Sequence, residues 1–177
     1  MLETLISSKT RVKLLLKFFL NSSNIAYLRS LEEEFGESTN AIRLELNRFE
    51  KAGFLQSFAE GNKKLFKVNT SHPLFGDLNR MIMKMVGIEY VLDFILQRIG
   101  NLEKVYLVGK LANGQDAQII DLVLVGEKLN KPFLLEQVDK AEKKIGKKIR
   151  FVIFSKEEFS LEMVSEDGVK PLLLWSK

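Results

Sequence analysis

The sequence contains no cysteine and a single histidine. Without thiols there is no disulfide frame and no thiolate metal site, and one imidazole cannot complete a histidine-based cluster. No apolar run approaches the roughly 20 residues needed to cross a bilayer. The opening Met1-Leu2-Glu3-Thr4-Leu5-Ile6 lacks the basic start and small-residue cleavage site of a signal peptide. A cytoplasmic protein that does not engage membrane is the expectation. Charge of neither sign dominates, and a formal net charge of +4 is only a weak pointer to anionic partners. Residues 1–70 carry 11 Lys and Arg against 8 Asp and Glu, and residues 71–177 carry 16 against 15, so the excess lies in the N-terminal part. At 177 residues, 46% hydrophobic and 28% charged, the chain can bury a core, stay soluble and form two small domains.

The stretch from Ser38 to Gly53 organises the rest. Ser38 suits a helix N-cap, and Gly53 suits the left-handed residue that ends a last turn. Ile42, Leu46 and Phe49 recur at spacings of four and three, which makes one buried stripe. At about 100° per residue, Asn40, Arg43, Asn47 and Lys51 fall on the opposite side, with Leu44 the apolar residue among them. Amides and guanidinium groups are the side chains that read base edges and hold phosphates in a major groove. Taken alone, such a face reads first as that of an ordinary solvated amphipathic helix.

The neighbouring segments supply context. Lys9 to Leu20 reads as a helix capped by Ser7 or Ser8, with Val12, Leu15, Leu16 and Phe19 inward. Asn21-Ser22-Ser23-Asn24 breaks it, and Ile25-Ala26-Tyr27 suits a short strand. Leu28 to Phe35 is a second helix, separated from the Ser38 cap by Gly36-Glu37, which is helix–turn–helix spacing. Phe54 to Phe58 and Lys64 to Val68 read as strands around an Ala59–Lys63 turn. A hairpin with basic residues at its tip, directly after the second helix of such a pair, is a wing.

The run from Lys9 to Val68 resembles a winged helix–turn–helix DNA-binding domain. The phrases Tyr27-Leu28-Arg29-Ser30-Leu31, Glu50-Lys51-Ala52-Gly53-Phe54-Leu55 and Glu60-Gly61-Asn62-Lys63-Lys64 carry the resemblance. It implies that the Ser38–Ala52 helix enters the major groove while Lys63 and Lys64 approach backbone phosphate. The candidate DNA-binding residues are Ser38, Thr39, Asn40, Arg43, Asn47, Arg48, Lys51, Lys63 and Lys64. Leu44 departs from the family's polar outer face and suits either a thymine methyl or a protein partner.

Beyond the hairpin, His72 precedes Pro73 and reads as a residue leading into a helix, not as a ligand. Leu74, Leu78, Ile82 and Met85 continue at helical spacing, Gly87 interrupts, and Val91, Leu92, Ile95 and Ile99 resume it. Met81, Met83 and Met85 suit plain helix packing first, and a soft ligand surface or a dimer seam second. Val105–Val108, Asp121–Gly126, Ile149–Phe154 and Pro171–Trp175 read as strands, with a helix from Pro132 to Ile145 between the second and third. The fold class expected is α/β or α+β, in three parts: a winged helix over 1–71, a long helical linker over 72–100, and a mixed sheet with helices over 101–177.

That second half resembles the small nucleotidyltransferase-like domains fused behind winged helices in some prokaryotic regulators. The family places Gly-Ser at the end of one strand, Arg-Gly in the loop and Asp-x-Asp-Leu at the start of the next. This sequence has Gly109-Lys110, Asn113-Gly114 and Ile119-Ile120-Asp121-Leu122 at those places. The resemblance therefore implies a degenerate domain: Gly109, Lys110 and Asp121 are a vestigial nucleotide site, with no catalytic residue, no metal ligand set and no cofactor. Magnesium in phosphoryl chemistry needs carboxylates beside the phosphates, and Ile119 supplies none. Asp116 is a substitute ligand by type but sits in a turn sequence. Lys140, Lys143, Lys144, Lys147, Lys148 and Arg150 form a basic run, read first as cations at a helix C-terminus and second as auxiliary DNA contacts. The expected function is a dimeric, sequence-specific regulator of transcription on double-stranded DNA, with room for a small-molecule or nucleotide effector. The rivals are an active nucleotidyltransferase of a toxin–antitoxin-like system and a protein-interaction scaffold.

Overall fold

The computed structural model describes residues 6–96, 99–165 and 169–177. The chain divides into two compact units, Met1–Met85 and Val86–Lys177.

In the first unit, α1 (Lys9–Leu15) starts at Ser8, whose Oγ accepts a hydrogen bond from the Arg11 amide. The helix does not run on to Leu20 in regular form. Leu16–Leu20 winds as a π-turn, and every residue from Leu14 to Leu20 is buried, so the segment is packed on all sides rather than along one stripe. Within it, Lys17 forms a buried ion pair with Glu34 at 2.7 Å. Asn79 closes the turn's end by donating to the Phe19 carbonyl at 2.6 Å. Strand β1 (Ile25–Tyr27) leads into α2 (Leu28–Phe35), which ends on Gly36 in the left-handed region. Helix α3 (Thr39–Lys51) follows, capped by Ser38 through a bond from the Ala41 amide. Strands β2 (Leu55–Glu60) and β3 (Lys63–Val68) complete an antiparallel sheet in the order β1-β3-β2. This is the winged helix–turn–helix connectivity. The hairpin is tighter than its sequence suggests: Glu60 pairs with Lys63, so Gly61 and Asn62 alone make the turn. Phe19 is the hub of the core, with the rings of Phe49, Phe54 and Phe75 within 6.5 Å of it.

Helix α4 (Phe75–Val86) begins two residues after Pro73, because Leu74 and Phe75 are held by His72 in a turn. Gly87, at φ 91°, divides the helical region and starts α5 (Ile88–Ile95). A side chain at Gly87 would be strained at that φ and would press on Ile145 at 3.2 Å.

The second unit is built on a mixed sheet of β4 (Asn101–Val108), β5 (Ile119–Glu127), β6 (Lys148–Phe154) and β7 (Leu172–Ser176), in the order β6-β5-β4-β7. β4 is antiparallel to both β5 and β7, while β5 and β6 are parallel and joined by α7 (Lys131–Ile145). One face, with Ile120, Leu122 and Leu124, is buried together with α5 and α7, whose Val91, Ile95, Leu134, Val138 and Ala141 are also buried. On the other face, Tyr106, Val123 and Val125 are covered by Val108, Phe154, Phe159 and Val164. A short helix, α6 (Gly109–Ala112), turns the chain directly at the end of β4, where the sequence suggests only a loop. This strand, turn, antiparallel strand, helix, parallel strand order is the connectivity that the nucleotidyltransferase-like resemblance implies.

Candidate nucleic-acid interface

Helix α3 turns Ile42, Leu46 and Phe49 into the core, and leaves Asn40, Arg43, Leu44, Asn47, Arg48 and Lys51 exposed. The inward and outward faces are therefore those the spacing predicts, with one addition. Glu45 is also buried, at the edge of the stripe that Ile42, Leu46 and Phe49 define, although its charge marks it as a solvated residue.

An open groove of about 1030 Å³ runs between α3 and the wing. Thr39, Arg43 and Asn47 line it from α3, Asn62, Lys63 and Lys64 from the hairpin, and Arg29 from α2. Arg29 lies in a phrase that carries the family resemblance, but nothing in its sequence neighbourhood marks it as a groove residue. The two wing lysines are held differently. Lys63 Nζ lies 4.4 Å from the Tyr27 ring centroid. Lys64 pairs with Glu50 at 2.7 Å, and Glu50 also accepts a hydrogen bond from Ser57. Lys64 and then Ser57 hold the Glu50 carboxyl below its ordinary range, which ties the wing to α3 and spends part of the Lys64 charge inside the protein. Ser38 is occupied as the cap of α3. Asn40, Arg48 and Lys51 are exposed and do not line the groove. Arg48 bonds to Glu45 at 2.8 Å. Such a surface, amide and guanidinium on a helix beside ammonium groups on a hairpin, can address base edges and phosphate together.

The residues expected as a vestigial nucleotide site lie where α6 leaves β4. Gly109 stands so close to Asp121 that a Cβ there would meet Asp121 Oδ2 at 3.1 Å. Parallel pairing sets Asp121 beside Arg150, whose Nε donates to Asp121 Oδ1 at 2.6 Å. Among the described residues, the carboxylate at this site, Asp121, thus has a guanidinium against it. Lys110 and Asn113 are on the other side of Gly109 and line a cleft of about 320 Å³ with Gln115 and Pro171. Asp116 is engaged by Lys147 at 3.1 Å. The described residues do not fit a magnesium ion, which needs free carboxylate oxygen where this site has an aspartate paired to a guanidinium. Among the described residues no group of three or more acidic or histidine side chains is arranged to hold a metal ion.

The basic run resolves into local pairs: Lys140 with Glu136, Lys143 with Asp139, and Lys148 with Glu142. His72 uses Nδ1 to accept from the Leu74 amide and packs against Phe54, as a residue leading into a helix. Among the described residues no helix is long and apolar enough to cross a membrane.

No protein-family model matches this chain, and no curated protein does. Among solved structures it is similar to reduced HlyU from Vibrio cholerae N16961, at 15% identity and a TM-score of 0.38, over 49% of this chain and 83% of that one. It is similar to AF1382 from Archaeoglobus fulgidus at 15% identity and a TM-score of 0.40, over 50% and 97%. A crystal structure of a toxin–antitoxin with AMP-PNP matches at 17% identity and a TM-score of 0.39, over 50% and 73%. At these identities and TM-scores the likenesses decide nothing about what this chain does.

Proposed function

We propose that the chain is a sequence-specific DNA-binding regulator of transcription, in which α3 reads the major groove and the wing holds backbone phosphate. The observation that carries this reading is the shared groove, in which Arg43 and Asn47 of the exposed α3 face stand opposite Lys63 of the hairpin. An arginine that is exposed on a helix beside an amide one turn away matches the bidentate chemistry of guanine and adenine edges. Lys63, over an aromatic ring and directly after a two-residue turn, suits a point charge for phosphate.

A dimer is part of the proposal, because one winged helix reads a short site and pairing two raises both affinity and specificity. The second unit then serves as a body for pairing or for an effector, not as an enzyme. Arg150 at Asp121 supports that assignment, as does Ile119 where the family has its first aspartate. The test is selection of duplexes from a random-sequence pool by the full chain. Recovery of a shared motif supports the reading. An unenriched pool after repeated rounds at low salt would refute it.

A further inference from the structure

We propose that Arg11 and Arg48 form a second phosphate-contact site, on the flank of α3 away from the wing, with Glu45 as the residue that positions both guanidinium groups. The proposal rests on the DNA-binding reading above and supplies that reading with the other wall of the groove.

Glu45 is an acid with a 7% exposed side chain on a helix whose outer face is cationic and polar. Its Oε2 accepts from Arg11 Nε at 2.9 Å. Its Oε1 accepts from Arg11 Nη2 at 3.1 Å, from Arg48 Nη1 at 2.8 Å and from Ser8 Oγ at 3.3 Å. A carboxylate in this position needs compensation, and one bidentate arginine would provide it. Two arginines over-compensate and leave the triad with a positive charge. Both reach solvent, the Arg11 side chain 36% exposed and that of Arg48 61%. A guanidinium carries five N–H donors, more than Glu45 takes from either.

The placement gives this charge a use. At about 100° per residue, Arg48 lies roughly 140° around α3 from Arg43, whereas Glu50, which holds the wing lysine, lies roughly 20° to the other side. The exposed face is therefore bounded by the wing at one edge and by Arg48 with Arg11 at the other. A helix seated in a major groove about 12 Å wide has a phosphate strand along each side. Lys63 suits one strand, and the Arg11–Arg48 pair suits the second. Glu45 fixes both side chains before DNA arrives, so less rotamer freedom is lost on binding. Arg11 is 34 residues from Glu45 in sequence, and only the fold brings it to the reading helix.

The experiment measures binding of the full chain to a mixed-sequence duplex a few helical turns long, between about 50 and 200 mM salt, and reads the slope of log affinity against log salt. The variants are Arg48→Gln, Glu45→Gln and the double change Arg11→Gln with Glu45→Gln, which removes the buried acid along with its partner. Each lost phosphate contact should flatten the slope by about one. Arg48→Gln and the double variant are expected to do so, while Glu45→Gln, which keeps both cations but no longer holds them, is expected to retain the slope and to bind several-fold more weakly at every salt concentration. If the double variant does not fold by circular dichroism, Arg48→Gln, which leaves Glu45 with Arg11, decides. Unchanged slopes in the folded arginine variants, alongside a flattened slope for Lys63→Ala, would overturn this proposal and spare the DNA-binding reading. Wild-type affinity for Glu45→Gln at every salt concentration would overturn the positioning role of Glu45. No binding by the wild-type chain at any salt would remove both.

Discussion

Glu45 sits on the helix that carries the reading face, yet its side chain turns inward against Arg11 and Arg48. Burial alone would raise its carboxyl, but the hydrogen bond and charge of Arg11, then those of Arg48, outweigh it and hold the group below the ordinary value near 4.5. A carboxyl depressed in the folded state contributes stability above its unfolded pKa and loses it as pH falls through the folded one. The thermal midpoint of the wild-type chain should therefore hold near neutral pH and fall as pH drops from about 5 towards 3. Glu45→Gln should fall less over the same range, with the remaining acid sensitivity owed in part to Glu50, which Lys64 and Ser57 depress in the same direction. Equal acid sensitivity in the two proteins would show that the triad adds nothing to stability. Helical spacing already sets Glu45 beside the stripe of Ile42, Leu46 and Phe49. Its main partner was not legible in the sequence, because Arg11 comes from another helix. Asp121 is the parallel case: its partner Arg150 is set opposite it by the register of two strands, which spacing along the chain does not express.

At the scale of elements, the sequence is most readable where structure is decided locally. Ser38, Ser8 and Asn130 each cap the helix that follows them, through their own side chains. The stripe of Ile42, Leu46 and Phe49 and the strand Lys148–Phe154 likewise declare themselves by period. The π-turn at Leu16–Leu20 does not, because seven successive buried residues have no period to read. The close contact at the far end of β4 is also invisible in sequence. Leu102 pairs with Gly126 next to an irregularity between Leu102 and Lys104, and a Cβ on Gly126 would meet the Asn101 carbonyl oxygen at 2.4 Å and Leu102 Cα at 2.9 Å. These are backbone atoms of a paired strand and cannot swing aside. Gly126→Ala should destabilise the second unit by about 2–4 kcal/mol, read as a lower denaturation midpoint, whereas Gly76→Ala, with open space around it, should not. Equal midpoints for the two variants would show that the strand shifts at little cost.

For the whole molecule, the question is whether two units mean two activities. The second unit has the strand and helix order that the nucleotidyltransferase-like resemblance implies, with an isoleucine and an ion-paired aspartate at the two places where that chemistry needs carboxylates. The expected outcome is no transfer from any of the four nucleoside triphosphates, with magnesium or manganese, to DNA, RNA or protein. Asp121→Asn should leave DNA affinity unchanged. Labelled nucleotide incorporated by the wild type and lost in Asp121→Asn would make this unit an enzyme.

The central claim is that α3 reads base sequence, and titration of the full chain and its Arg43→Ala variant against a selected duplex and a scrambled one tests it most directly. The wild type should prefer the selected duplex, and Arg43→Ala should lose about 1–3 kcal/mol of that preference while binding the scrambled duplex nearly as before. Equal affinity of the wild type for both duplexes, or a preference that survives Arg43→Ala intact, would contradict it.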